Sequence, residues 1–365
     1  MASAQQKSPA FVAAPARRHA VREGALLGVA AMVVLVAMDL YVRDSPTPRN
    51  DELIYEFMAQ SPFDPHTFPF AYRVGVPTLV HIVPLGHTAT FSALAWLSSG
   101  LCAAFGYLLL RRFSVDKWLS GALSVLMAVS PVLFVVSLRQ GRNVDPESIA
   151  IVLAGTLAIV SRRPATLGII AFLGVFIRET ALFLLPLAYA VWAERPWDRQ
   201  ALKTTLMVSV PAVVTYAAMR LAVPALYREQ VIGYDSLLGG RREVLTKAAE
   251  NWKEEVRRMA TAFGPLWLTL PFALKESAFV RRGLVLVACC LVSMTFALDW
   301  GRLIFLALPV FLVGAGVVLQ PRQRLALPFL AALAFVCFGY SFYMEELGGA
   351  QNGIIDVGRT TYPIR

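Results

Sequence analysis

Charged residues are scarce in this sequence. They make up 16% of its 365 residues, and 57% are hydrophobic, whereas soluble domains average about 25% charged and about 45–50% apolar residues. The sequence also lacks a Walker loop, an HExxH helix, a GxSxG turn and a dinucleotide fingerprint. These shortages exclude a soluble globular domain, a disordered chain and a secreted disulfide scaffold. They predict a polytopic membrane protein.

Cysteine and histidine are sparse as well, with four residues each. The cysteines, at positions 102, 289, 290 and 337, lie inside apolar runs without CxxC or Cys/His spacing. This pattern argues against a zinc site and against a disulfide framework. The histidines at positions 66, 81 and 87 have no metal-ligand spacing either. The residues alone therefore predict no metal site.

Eleven apolar runs are candidates for transmembrane helices, because a span needs about 20 mainly apolar residues. They lie at 24–42, 89–110, 117–137, 146–161, 164–178, 180–194, 202–222, 262–276, 283–298, 302–320 and 324–343. The predicted fold is an all-α membrane protein with about eleven transmembrane helices. The predicted organisation is a cytoplasmic tail at 1–23, a transmembrane domain at 24–343 and a short outer tail at 344–365.

The charges indicate an orientation. Lys and Arg outnumber Asp and Glu by 34 to 24. With a cytoplasmic N-terminus, every short inner loop is a compact basic cluster such as Arg111-Arg112 or Arg281-Arg282, and most acids fall outside. The sequence therefore predicts a multi-pass protein of the inner (plasma) membrane with its C-terminus outside. The net charge of +10 is then no sign of nucleic-acid binding.

Two predicted outer segments are too long to be turns. The first, about 43–88, contains a predicted short helix that ends near Gln60. It also contains an apolar stretch of about a dozen residues interrupted by Pro77 and Pro84, and we expect this stretch to lie in the membrane interface instead of spanning the membrane. The second, about 223–261, has the apolar periodicity of an amphipathic surface helix, with its cations on the other faces.

Charged residues recur at the predicted outer ends of helices that are distant in sequence. A single charge there means little, because long side chains reach the interface. A recurring set at one face predicts a polar cavity that opens outward. Its members are Asp39, Asp51, Glu52, Arg73, Arg139, Arg142, Asp145, Arg178, Glu179, Arg220, Asp299 and Arg302.

Three short motifs follow one another along the chain. DELIY at 51–55 comes soon after the first apolar run, RET at 178–180 divides two short apolar runs, and DWGR at 299–302 lies between two later ones. In this order they resemble the GT-C superfamily of integral membrane glycosyltransferases. The string FPFAYRVGVPTL, which contains Arg73, is similar to a string in small bacterial members. The likeness covers about 24–320, mainly as topology, and the large outer C-terminal domain of many members is missing.

The resemblance implies a reaction at the outer face with a polyprenyl-phosphate-linked sugar as donor. A carboxylate of the first outer loop takes the proton of an acceptor hydroxyl as that oxygen attacks the anomeric carbon, so the configuration inverts. Asp51 is the first candidate for this base and Glu52 the second. The alternative role for Asp51 is to cap the helix at 52–60.

The leaving lipid phosphate needs cationic partners, and Arg suits it because its planar fork binds phosphate oxygens in pairs. The candidates are Arg73, Arg139, Arg142, Arg178 and Arg302. Supporting roles are predicted for Tyr55, His66, Asp145, Glu179 and Asp299. Simpler alternatives remain: pairing of Arg178 with Glu179 and of Arg302 with Asp299, or capping of the helix at 146 by Asp145.

The predicted function is therefore that of a membrane glycosyltransferase whose acceptor is a glycan, a glycolipid or a protein. Its predicted partners are the donor lipid, the acceptor and the bilayer, and no nucleic acid. No cofactor is predicted, although the family contains both metal-dependent and metal-independent members. A multi-pass transporter or lipid flippase is the alternative, for which broken helices and two related halves would be typical.

Overall fold

A computed structural model describes residues 14–41, 50–67, 70–134, 143–223, 225–226, 245–297 and 300–340. Over these ranges the chain is helical apart from turns and two two-residue segments, β1 (His66–Thr67) and β2 (Ala225–Leu226), which pair in parallel. The all-α prediction is confirmed. Residues outside these ranges include three predicted site residues, Arg139, Arg142 and Asp299.

The helices surround an apolar core to which nearly every element contributes. In chain order they are α1 (Ala14–Tyr41), α2 (Asn50–Gln60), α3 (Gly75–Ile82), α4 (His87–Arg112), α5 (Lys117–Ala128), α6 (Pro131–Leu133), α7 (Asp145–Val160), α8 (Pro164–Ile177), α9 (Leu184–Trp192), α10 (Arg199–Ala222), α11 (Trp252–Phe263), α12 (Leu270–Glu276), α13 (Ala278–Ser293), α14 (Trp300–Phe305), α15 (Leu308–Leu319) and α16 (Gln323–Ala334). Short 3-10 helices occur at Phe70–Tyr72, Glu179–Phe183 and Gly264–Thr269, and α16 continues into a π-helix at Phe335–Tyr340.

Three described helices are long and apolar enough to cross a membrane, namely Arg18–Met38 within α1, α4 and α10. The other apolar helices are shorter, at 10–17 residues. All eleven predicted runs contain helical segments, but a count of eleven spans stays a prediction. α1 also begins at Ala14, which is ten residues before the first predicted run.

α8 and α9 form a helical hairpin. Its tip is Arg178, whose backbone is extended (φ −161°, ψ 140°), followed by the 3-10 turn Glu179–Phe183. A Cβ built on Gly174 would come within 2.7 Å of the Ala181 Cβ, so the two arms meet beside the tip. The chain thus turns back where the sequence predicts two separate segments instead of one long broken helix.

One end of the bundle collects the basic turns, and we call it the basic end. Polar contacts link its turns: Lys117 pairs with Glu23 (2.6 Å), the Asp116 backbone N–H donates to Gln320 (2.7 Å), and Arg322 pairs with Glu276 (2.6 Å). Both ends of the α8–α9 hairpin lie here, because the indole of Trp192 donates to the carbonyl of Ile159 at the end of α7.

The predicted interfacial elements form short helices. α2 begins at Asn50, so Asp51 lies in its first turn, although the Asp51 side chain is not among the described ones. α3 has eight residues, which is too short to span a membrane. Two of its apolar side chains, Leu79 and Ile82, are more than half exposed.

α11 corrects the prediction of which face of the amphipathic helix is buried. Periodicity predicted an apolar face with Trp252 and Val256, and cations including Arg258 on the other faces. In the structure Trp252 and Val256 are exposed, whereas Arg258 is buried together with Glu255. The charged face can pack inward because the two side chains neutralise each other through a 2.7 Å ion pair.

Candidate functional site

The candidate site lies at the end of α7 that is distant from the basic end. At 1.5 Å per residue, α7 places Asp145 about 24 Å from its other end, and α8 places Arg178 about 21 Å from its start. Arg302 precedes the end of α15 by a comparable length of chain. Three helices from separate parts of the sequence therefore bring their charges to one depth.

α4 extends beyond this depth. The Ser98 hydroxyl donates to Glu147 in the first turn of α7, and Ser98 lies about 16 Å along the helix from His87. α10, with 24 residues, is also longer than α7 and α8. The charged cluster therefore lies well short of the far end of α4.

Asp145 is the centre of the first ion-pair network. Its Oδ1 accepts from Arg178 Nη1 and its Oδ2 from Arg302 Nε. Arg302 Nη2 also donates to the Asn143 side-chain oxygen at 3.1 Å. All four residues are at least nine-tenths buried. The carboxylate is therefore shared by two guanidinium groups and does not cap its helix, which corrects the capping alternative for Asp145.

Arg73 is the centre of the second network. It binds the Glu179 carboxylate with two parallel hydrogen bonds, of 3.2 Å from Nε and 2.7 Å from Nη2, and its Nη1 donates to the Tyr55 hydroxyl at 3.2 Å. Burial alone would lower the pKa of Arg73, but the Glu179 carboxylate and Tyr55 outweigh it and raise that pKa above its usual value. Arg73 is thus a permanent cation, with every nitrogen already in a hydrogen bond.

The two networks meet at the hairpin tip, because Arg178 and Glu179 are consecutive residues. They do not pair with each other, as one alternative supposed: each binds a partner from a different element. Counted over their described side chains alone, the networks hold three guanidinium groups and two carboxylates, which is an excess of one positive charge. Such an excess in a buried region is costly unless an anion or a polar ligand compensates it.

Two buried donors in this cluster have no hydrogen-bond acceptor among the described residues. They are Arg178 Nε and Asn143 Nδ2. Buried polar groups are satisfied in the great majority of cases, so an unsatisfied donor needs an explanation. Here both donors accompany the surplus positive charge. The arrangement therefore has the chemistry of a binding site for an anionic group rich in oxygen atoms.

A third charged pair supports the helix that bears Arg302, and sequence reasoning missed it. Glu255 Oε1 accepts from Arg258 Nη1 at 2.7 Å, and Glu255 Oε2 accepts from the backbone N–H of Trp300 at 2.8 Å. The second bond satisfies a backbone donor in the first turn of α14. The three-residue spacing of Glu255 and Arg258 was a visible signal for a pair, but nothing in the periodicity indicated that it is buried.

Other predicted residues lie at varied distances from the cluster. Glu52 is buried, one helical turn before Tyr55 and on the same face of α2. His66 does not join the cluster: its Nε2 contacts the Ser61 carbonyl at 2.7 Å and so shapes its own loop. The Asp51 side chain, Arg139, Arg142 and Asp299 fall outside the described part, so their predicted roles remain predictions.

An apolar groove of about 690 Å³ lies between α8 and α10. Pro164, Ile169, Phe172 and Met207 are among its lining residues. Its position along α8, toward the basic end, separates it from Arg178 at the hairpin tip. Within the described ranges, no three His, Cys, Asp or Glu side chains are grouped in a way that suits a metal ion.

Comparison with known proteins adds no relative. No family model matches the sequence, and no curated protein matches it. The likeness to GT-C glycosyltransferases therefore rests on the motifs and their order along the chain.

Proposed function

We propose that this chain is an integral membrane glycosyltransferase of the GT-C kind. It transfers a sugar from a polyprenyl-phosphate donor to a glycan, glycolipid or protein acceptor at the outer face of the plasma membrane. About eleven spans, a cytoplasmic N-terminus and an outer C-terminus complete the proposal. The observation that carries it is the buried cluster, which among the described side chains holds three guanidinium groups, two carboxylates and two unsatisfied N–H donors.

In this proposal the phosphate of the lipid donor binds beside Arg178. Arg178 Nε and Asn143 Nδ2 donate to its oxygens, while Asp145 holds the guanidinium groups of Arg178 and Arg302 in fixed positions. These donors stabilise the charge that develops on the leaving phosphate without having to reorganise. Glu179 and Tyr55 hold Arg73 in the adjoining wall.

The proton of the acceptor hydroxyl goes to a carboxylate at the start of α2. Asp51 remains the first candidate for this base and Glu52 the second. Glu52 lies one helical turn before Tyr55, whose hydroxyl accepts from Arg73. Attack of the acceptor oxygen on the anomeric carbon breaks the bond to phosphate in one displacement, so the configuration inverts. The proposed reaction uses no resident cofactor. A divalent metal is the alternative, because the GT-C family contains metal-dependent members.

The test is transfer activity of the purified chain in lipid nanodiscs with a panel of polyprenyl-phosphate sugars. Arg178→Lys removes Nε and the planar fork, so we expect at least about a 100-fold loss of transfer rate. Arg322→Lys at the basic end is the matched control and should leave the rate unchanged. If no donor supports transfer or hydrolysis, or if both variants behave alike, the proposal is wrong.

Two further variants test the base. Asp51→Asn and Glu52→Gln keep the side-chain shapes and remove the proton acceptor, so the variant that lacks the base should lose transfer while still binding the donor lipid. Full activity in Asp51→Asn with loss in Glu52→Gln reassigns the base to Glu52. Full activity in both variants contradicts the proposed chemistry.

One observation favours the alternative, a transporter or lipid flippase. The α8–α9 hairpin turns inside the bundle with extended backbone at Arg178, and helices that break near a binding site are common in transporters. Liposomes containing the purified chain discriminate the two functions. Movement of a polyprenyl phosphate between leaflets without sugar transfer supports the transporter, and transfer without movement supports the enzyme.

A further inference from the structure

Glu147 is a buried carboxyl that the proposed mechanism does not use. It lies in the first turn of α7, two residues after Asp145, and faces α4 instead of the Arg cluster. Its Oε1 accepts a long hydrogen bond of 3.4 Å from the Ser98 hydroxyl. Its Oε2 is buried and has no hydrogen-bond partner among the described residues.

The Arg residues of the two networks are bound to other acids. Arg178 and Arg302 bind Asp145, and Arg73 binds Glu179. Glu147 therefore differs from Glu255, which is equally buried but has an ion-pair partner in Arg258.

In the described part of the chain, the groups that face Glu147 are neutral or acidic. On α4 they are the Ser98 hydroxyl and the Cys102 thiol, which contacts the Pro146 carbonyl. On its own helix the nearest titratable group is Asp145. The hairpin contributes the Thr180 hydroxyl, which contacts Ser148, and the sequences of α8 and α15 contain no titratable residue. A carboxylate in such surroundings is costly, whereas the neutral acid is not.

We propose that Glu147 is a proton-binding site that sets the net charge of the neighbouring Arg cluster. A proton from solvent water binds to Oε2 and converts the carboxylate to the neutral acid, and no other bond changes. With Glu147 protonated, the cluster keeps its one surplus positive charge. With Glu147 ionised, one more negative charge lies in the first turn of α7, two residues from Asp145, and offsets that surplus.

This proton site regulates anion binding, and in that respect it rests on the proposed function. A phosphate group beside Arg178 meets a net attractive cluster only while Glu147 is neutral. Ionisation of Glu147 should weaken the binding of a polyprenyl phosphate by on the order of tenfold, the effect of one added charge at this range. A neutral polyprenol of the same length should not respond.

Infrared spectroscopy tests the proton directly, because a protonated carboxylic acid has a carbonyl stretching band separate from that of a carboxylate. The purified chain near neutral pH should show such a band, and Glu147→Gln should lose it. Glu255→Gln is the matched control, since it changes a buried glutamate that is ion-paired, and it should keep the band. A wild-type chain without the band, or a band that survives in Glu147→Gln, overturns the proposal.

Binding of polyprenyl phosphate in nanodiscs across a pH series tests the regulation. The titration of the phosphate itself affects both proteins alike, so the wild-type affinity should fall relative to that of Glu147→Gln as the infrared band disappears. Parallel curves for the two proteins overturn the charge-setting role. If neither protein binds polyprenyl phosphate at any pH while the band behaves as expected, the proposed function and the charge-setting role fail, and Glu147 remains a proton site.

Discussion

At the basic end of the bundle, charged side chains lie in short turns and meet their partners near the surface. Lys117 is 68% exposed in its pair with Glu23, and Arg322 and Glu276 are 39% and 30% exposed. At the far end of α7 and α8, the side chains of Asp145, Arg178 and Arg302 are 3–9% exposed. The same kinds of residue thus form solvent-exposed ion pairs in one region and buried ion pairs in the other.

The two regions differ in how much the loss of one charged partner affects stability. Exposed ion pairs contribute little and tolerate exchange, because water replaces a lost partner. A buried pair contributes little net stability either, but removing one partner is costly because it strands the other charge. Stability alone therefore does not explain the buried charges around Asp145, and this is why that cluster is the candidate site. The basic turns need no such explanation, because basic loops are typical of the cytoplasmic side of a membrane protein.

The largest expected effect comes from making one chemical change in both regions. Asp145→Asn removes the carboxylate that Arg178 and Arg302 share and should lower the free energy of unfolding by about 3–5 kcal/mol. Glu276→Gln, the matched change beside Arg322, should leave it almost unchanged. Equilibrium unfolding in mixed micelles, followed by circular dichroism, measures both. Similar losses in the two variants would remove the distinction between the ends.

From the sequence, the difference between the basic end and the cluster around Asp145 could be predicted, but the individual ion pairs of the cluster could not. Short apolar runs on either side of Arg178 predicted a turn there, and the placement of Asp145 and Arg302 at helix ends predicted membership of the cluster. Their pairing was not predictable, because Asp145 and Arg302 are 157 residues apart and only tertiary packing chooses partners. The buried face of α11 was missed for the same reason. Glu255 accepts a hydrogen bond from the Trp300 backbone N–H in α14, and the periodicity of α11 carries no information about that neighbouring helix.

A smaller effect should separate two glycines. A Cβ on Gly301 would lie 3.0 Å from the Arg258 backbone oxygen, so Gly301→Ala must push α14 away from α11. We expect a loss of about 1–3 kcal/mol in the free energy of unfolding. A Cβ on Gly168 has no neighbour closer than 3.7 Å, so Gly168→Ala should stabilise α8 by about 0.5–1 kcal/mol.

The opposite signs make this pair of variants informative. The same unfolding measurement applies to both, and each variant serves as the control for the other. Two stabilising results would mean that α14 is not held against α11 at Gly301, and that the Glu255–Trp300 bond does not fix the position of Arg302.

The smallest expected effect concerns Asp198, an N-cap at the basic end. Its carboxylate accepts from the backbone N–H groups of Gln200 and Ala201 at the start of α10. These N–H groups, Ala201 first, together with that of Glu194, hold the pKa of Asp198 below its usual value. The charged form is therefore bound more favourably in the folded state, and its contribution is present at neutral pH and lost as the pH falls through the lowered pKa.

Asp198→Asn keeps an oxygen that can cap α10 but removes the titration. We expect its melting temperature to be slightly below that of the wild type at neutral pH, and the gap to close on acidification below the lowered pKa of Asp198, because both side chains are then neutral. Asp198→Ala, which also loses the cap, should stay less stable at both pH values. A gap between wild type and Asp198→Asn that persists at low pH would mean that the charge of Asp198 does not contribute through these backbone groups. The difference between the two ends would then be smaller than proposed, because the basic end would contain a carboxylate whose effect on stability does not come from its exposed contacts.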